Sequence, residues 1–361
     1  MTTSQSEPSK KFVKIQSEKI FLIGSILTSF GILLVTVGGS WDITNHLLSK
    51  PETFFSPPHA LMYCGVAISL IGTVVSFIGW KNLQKFSDSY FFPLKIKLIG
   101  ISLLVGAGPF DFIWHSNFGL DGLLSPPHLT LIMGMFLCSI GGMIGIARHL
   151  KINNYKNSLS LFLIVLGVIP VWLSCSGIIS SLSLPFSNTD YFQLNPEPHV
   201  AFVVATLAYP MLISMSMFLV YRLSHEKFGM MSILGGLFLL IYSTTAIVPN
   251  FAIFDSIQFY SLNLIPFVIS DVILLFYKSR KSMIFVGGLL GSVFYMVYYP
   301  YVMYTFNEVL LGRLVSPSLI YFVYFELIDD VMMITLIPSV IMGILAVFLS
   351  KKFSRGILMN D

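Results

Sequence analysis

The chain has 361 residues, 55% of them hydrophobic and 11% charged, with a formal net charge of +4. Soluble domains carry roughly a quarter charged residues, so this composition excludes a soluble enzyme. The modest positive charge is scattered over short connectors and excludes a nucleic-acid partner.

From the N-terminus, residues 1–18 are polar, hold Lys10, Lys11 and Lys14, and show no small-residue cleavage site after the apolar block that follows. They read as a retained cytoplasmic tail. Apolar blocks of about twenty residues, the length that crosses a bilayer core, then predict ten spans. These cover 20–41, 60–80, 93–114, 128–148, 158–182, 199–222, 229–249, 261–278, 282–304 and 319–350, the last bent at Pro338. A second short tail occupies 351–361. The expected fold is all-α, a polytopic transmembrane helical bundle forming one domain over 19–350, with the lipid bilayer as its main partner.

Basic residues mark every second connector, from Lys81, Lys85, Lys95 and Lys97 through Arg148 and Arg222 to Lys351, whereas the alternate connectors hold only Lys50 and Arg313. The positive-inside rule then places both termini in the cytoplasm of a cell-membrane protein. The basic-poor connectors, including those after spans one and three, face outward.

Those two outward connectors carry the most informative signal. "WDITNHLLSKPETFFSPPH" runs from Trp41 to His59, and "FDFIWHSNFGLDGLLSPPH" runs from Phe110 to His128, 69 positions later. Both fit [WF]-D-x3-H-x5-[ED]-x3-S-P-P-H without gaps. The spans around them read as duplicated hairpins, 20–80 and 93–148, with degenerate copies over 158–350. "YPYVMYTFNEVLLGRLVSPSL" is such a copy, with Val302, Phe306 and Leu319 in place of Asp, His and His.

Asp42 and His46 are four apart, as are Asp111 and His115, which puts each pair on one helix face. Pro-Pro then starts the next helix, where a missing N–H costs nothing, and holds His59 or His128 rigidly at its beginning. Asp42, His46, His59, Asp111, His115 and His128 are therefore the candidate metal ligands. Imidazole and carboxylate suit copper, zinc or iron, and six such groups suffice for two ions. Glu52, Asp121, Glu197 and His199 are candidates to orient the ligands or bridge the ions. The same residue types also serve as plain hairpin devices, with Ser56 and Ser125 as helix caps and Trp41 as an interface anchor.

Asp271, Glu326 and Asp330 fall inside later apolar blocks, where a carboxylate is costly and commonly lines an ion path. The three cysteines, Cys64, Cys138 and Cys175, are isolated and form no C-x-x-C pair, so neither a disulfide framework nor a thiolate site is expected. Nucleotide-loop, nucleophile-elbow and H-E-x-x-H motifs are absent from the sequence.

The W-D-x3-H and S-P-P-H elements resemble those of a widespread group of archaeal and bacterial multi-pass membrane proteins with no assigned activity. The resemblance covers roughly residues 36–65 and 105–132. The first copy has Asn45 where the second has Trp114, the latter matching the group's W-D-x2-W-H form. The leading expectation is a membrane metalloprotein, an oxidoreductase or hydrolase. The alternatives are a metal-ion or proton transporter or channel, and a non-catalytic subunit that docks a membrane-protein partner or a second copy.

Overall fold

The computed structural model describes residues 7–48, 50, 53–84, 89–119, 121–154, 157–183, 192, 194–251, 254, 257–294 and 317–359. Of these, 7–11, 47, 259–260, 294, 317–333 and 358–359 are described by backbone alone. The described chain is helical and contains no strand.

The helices are α1 (Glu7–Leu47), α2 (Pro57–Leu83), α3 (Phe91–Phe118), α4 (Pro126–Ile152), α5 (Ser158–Ser183), α6 (Pro198–Leu223) and α7 (Met230–Ile247). They are followed by α8 (Ile257–Leu262), α9 (Ile265–Phe276), α10 (Arg280–Leu289) with a π-helical turn Leu290–Phe294, and α11 (Pro317–Met359). Eight segments are long and apolar enough to cross a bilayer: Phe12–His46, α2 to α7, and Ile334–Ile357. The chain is a multi-pass membrane protein.

Several boundaries differ from the sequence reading. Helix α1 extends back to Glu7 through the expected tail, and α11 runs unbroken through Pro338 as far as Met359. The expected span 261–278 is split, because α8 ends at Leu262 and α9 restarts with Pro266 in its first turn. At 12 residues, α9 is about 18 Å long, short of a bilayer core of about 30 Å. The expected span 282–304 begins with α10, and its part after Phe294 lies outside the described residues, as does the degenerate copy around Val302 and Phe306.

Lipid tails are as apolar as leucine, so helices in a membrane associate by close packing rather than by hiding apolar surface. Glycines supply that packing in both hairpins. A Cβ placed on Gly31 would strike Gly65 O and Ser69, and one on Gly65 would strike Gly31 O and Val35. The same contacts recur 69 positions on, with Gly100 against Gly134 O and Cys138, and Gly134 against Gly100 O and Leu104. Gly72 packs on Gly24 O and Thr28, and Gly141 on Pro93 O and Lys97. The two hairpins thus share one packing register.

Helices α1 to α4 form a ring in which α1 touches α2 and α4, and α3 touches the same two. Helices α1 and α3 stand across the diagonal. On the far side of α1 and α4 the ring abuts α5, which leads to α6, α7 and α11. The core there includes Trp172 stacked on Phe238 at 3.9 Å.

Lys97, read as one of the basic residues flanking the turn before span three, is fully buried inside α3. Its Nζ donates to Ser25 Oγ (3.1 Å) and Ser76 Oγ (2.5 Å), and lies over the Phe21 ring at 4.5 Å. One side chain from α3 therefore ties together α1, α2 and α3. The hydroxyls and the ring face supply the solvation that a buried ammonium requires.

Two substitutions report on the packing register. Gly65→Ala and Gly134→Ala should each cost about 1–3 kcal/mol by forcing backbones apart. Gly39→Ala, whose Cβ meets nothing within 4 Å, should not destabilise. Thermal unfolding in detergent measures all three.

Candidate metal centre

Because α1 stays helical through Leu47, Asp42 and His46 sit one turn apart on a single face, with His46 Nε2 3.4 Å from Asp42 Oδ2. Helix α2 opens with Pro57 and Pro58 in its first turn, and His59 follows at once. The hairpin register brings its Nε2 to 3.0 Å from Asp42 Oδ1.

The second hairpin repeats the arrangement. His115 Nε2 is 3.4 Å and His128 Nε2 is 3.5 Å from Asp111 Oδ1. In each triplet one ligand atom per residue can be chosen so that all lie within 4.8 Å of one another. Ligand atoms around a tetrahedral ion at about 2.0–2.1 Å are roughly 3.3 Å apart, which the Asp–His separations of 3.0–3.5 Å match.

The outer faces of the imidazoles fix their chemistry. His59 Nδ1 lies 3.1 Å from Thr53 O, His115 Nδ1 2.8 Å from Gly119 O, and His128 Nδ1 3.3 Å from Gly122 O and 2.8 Å from Ser125 Oγ. A backbone carbonyl only accepts, so each Nδ1 carries the proton and donates it outward. In the neutral ring Nε2 then presents a lone pair to a carboxylate oxygen. Two acceptors facing one another at 3.0–3.5 Å repel unless a cation or a second proton lies between them. Consistent with this, Asp42 Oδ1 and Asp111 Oδ1 are buried with no aligned hydrogen-bond donor. The donor set and its geometry fit a metal ion.

The second triplet has a further layer. Asp121, fully buried, accepts a hydrogen bond from Trp114 Nε1, and its Oδ1 lies 3.8 Å from His128 Nδ1. It therefore lies beside the His128 ring, whose Nδ1 is engaged by Ser125 Oγ and Gly122 O. Its counterpart Glu52 lies outside the described residues. Ser56 and Ser125 occupy the N-cap positions of α2 and α4, but neither side chain caps the helix. The Ser125 hydroxyl is turned to His128 instead.

The two triplets adjoin. The His46 and His115 rings stack with centroids 6.4 Å apart and planes 28° from parallel. All six predicted ligands therefore gather at one end of the α1–α4 ring. Tyr63, on α2, lies near both Asp42 and Asp111, and the motif comparison does not reveal it because Ile132 holds the matching position.

The other candidates lie elsewhere. Glu197 is the N-cap of α6, accepting from Val200 N at 3.0 Å, and His199 is 97% exposed. Neither belongs to a triplet. Asp271, buried on α9, accepts from Ser232 N (2.8 Å), Ser232 Oγ (2.6 Å) and Met231 N (3.4 Å). Its carboxylate thus satisfies the first-turn N–H groups of α7, where negative charge is favoured, and ties two helices together. The side chains of Glu326 and Asp330 lie outside the described residues.

No protein-family model, no curated protein and no solved structure matches this chain.

Asp271→Ala should therefore cost about 1–3 kcal/mol through the N–H groups it strands. It should leave metal binding intact, as read by thermal unfolding and by metal analysis of the same purified sample.

Proposed function

We propose that the chain is a membrane metalloprotein whose Asp42–His46–His59 and Asp111–His115–His128 triplets hold two transition-metal ions. The reading rests on one observation. In each triplet two imidazole Nε2 atoms lie 3.0–3.5 Å from a single carboxylate, one oxygen of which is buried with no aligned donor. Two imidazoles and one carboxylate leave coordination positions open, the pattern of iron, zinc or copper sites that act on a substrate rather than merely brace a fold. We read the activity as a metal-dependent oxidoreductase or hydrolase. A bound metal would polarise a substrate oxygen or lower the pKa of a water.

The protein's own groups set the rest of the chemistry. The carbonyls of Thr53, Gly119 and Gly122 hold the ring tautomers, and Asp121 lies beside His128. The stacked His46 and His115 rings bring the two triplets together, so that one substrate would meet the metals held by both. The charge pattern of the connectors supports placing the centre at the extracytoplasmic face, with both termini in the cytoplasm. The matched packing register supports a duplicated hairpin. We group the chain with the archaeal and bacterial multi-pass proteins that carry W-D-x3-H and S-P-P-H elements. The engagement of Asp271 with α7 disfavours the transport alternative.

Metal analysis of purified protein should give two ions per chain, one after His59→Ala and none after His59→Ala combined with His128→Ala. Asp121→Asn should weaken the second ion about 10–100-fold. Metal at a hundred times its Kd should stabilise the fold by about 2.7 kcal/mol. Purified protein without stoichiometric metal, and with a thermal midpoint indifferent to copper, zinc and iron, would overturn the reading.

A further inference from the structure

The ring of α1 to α4 is closed by glycine contacts along each hairpin, but one region of its interior is open. Gly39 and Gly108, 69 positions apart, are the two hairpin glycines in register whose added Cβ would meet nothing within 4 Å. Gly39 precedes Asp42 by three residues and His46 by seven, and Gly108 stands in the same relation to Asp111 and His115. A separation of seven returns to the same helix face about 10 Å along the axis. The open positions therefore lie directly inward of the two stacked imidazoles.

The neighbours of Gly39 fix where it faces. On α1, Gly31, Val35 and Gly38 meet α2, while Ser25 and Ser29 meet Gly145 and Gly142 of α4. The face holding Gly39 and His46 falls between those two, toward α3 across the diagonal. Gly108 faces back from α3, as His115 faces His46. The region between these two glycines adjoins both triplets.

One side of the ring leaves this space accessible. On the α1/α4 side, Ser29 and Thr36 are 0% and 8% exposed, and α5 packs behind. Their counterparts on the α2/α3 side, Leu98 and Val105, are 41% and 49% exposed. On α2, Leu70 and Val74 are also exposed. Near the triplets this seam is lined by aromatic rings, with Phe54 edge-on to Phe112 at 5.6 Å and tilted on Tyr63 at 5.1 Å. On the α7 side the ring is fastened by Ser40 to Thr245 (2.8 Å) and Lys50 to Pro249 O (2.5 Å).

We propose that the space between Gly39 and Gly108 is a substrate pocket reached sideways from the bilayer through the α2/α3 seam. It takes a lipid-soluble alcohol or phenol, the oxygen directed at the triplets and the apolar body held between the glycines and the Phe54–Phe112 pair. Apolar pockets with a few convergent polar groups are the usual form of such sites. Edge-on aromatic contacts favour a ring. This rests on the metal reading above, because the oxygen is placed by the ions.

The test uses full-length protein loaded with cobalt(II) in lipid nanodiscs, with 4-octylphenol as probe and cobalt visible absorption as readout. Wild-type protein should show a saturable spectral change. Gly39→Leu combined with Gly108→Leu should keep two cobalt ions, showing an intact fold and centre, yet require at least about tenfold more probe. An indifferent wild-type spectrum, or equal responses of wild type and variant, overturns the pocket while leaving the metal reading standing. Failure to bind cobalt at all overturns both. A metal-independent measurement runs beside it: Gly108→Cys, in a Cys64→Ser background, should react with a membrane-soluble maleimide and be protected by 4-octylphenol. Labelling of the Gly108→Cys variant that the probe does not slow overturns the pocket even if the spectrum shifts.

Discussion

In a bilayer, α1 and α2 gain little by covering one another's apolar surface, so the backbone contacts at Gly24, Gly31, Gly65 and Gly72 hold the hairpin and set its register. That register decides whether His59, at the start of α2, arrives level with Asp42, near the end of α1. A slip of one residue would carry the imidazole about 1.5 Å along the axis and about 100° around it, and the triplet would be lost. The second hairpin solves the same problem with Gly100, Gly134 and Gly141. Gly38 becomes Ala107 in the second hairpin, where the strict requirement for close approach is relaxed.

The polar groups follow from this scaffold at two depths. At one end of the ring, carboxylates and imidazoles converge with their acceptors facing, an arrangement that is repulsive without a cation or additional protons. Further along, the Lys97 amine is buried against Ser25, Ser76 and the Phe21 ring, where two hydroxyls and a ring face receive it. The two depths have opposite character, one rich in acceptors and the other supplying a donor. Lys97 is fully buried within the ring and the triplet residues are half-buried at its end, settings in which ionisable groups of a membrane protein are tolerated.

The two hairpins are alike in register but not in surroundings. The α1/α4 side is covered by α5, and small polar residues such as Ser29 and Ser139 are buried there. The α2/α3 side carries Leu98, Val105, Leu70 and Val74 at its surface. A repeated pair of hairpins packed on one side by the rest of the bundle necessarily has one covered seam and one open seam. The asymmetry between the triplets runs the same way, since Trp114 and Asp121 brace the second where the first copy has Asn45.

The sequence alone determined the membrane class, the helical hairpins and the six residues of the triplets, because hydropathy, the helical repeat of four and the starting prolines act locally and survive in any context. Extending the 69-residue comparison into the spans would also have revealed the Gly31/Gly100 and Gly65/Gly134 pairs. Only the tertiary structure decided that the triplets adjoin, since the meeting of His46 and His115 depends on how two hairpins pack. It likewise assigned Asp271 to the N-terminus of α7 and Glu197 to that of α6, tasks invisible in sequence because a carboxylate serves a helix end or an ion equally well. It placed Lys97 in the interior, where three helices supply its partners. Local chemistry fixed what each element is; long-range packing fixed which polar groups face each other.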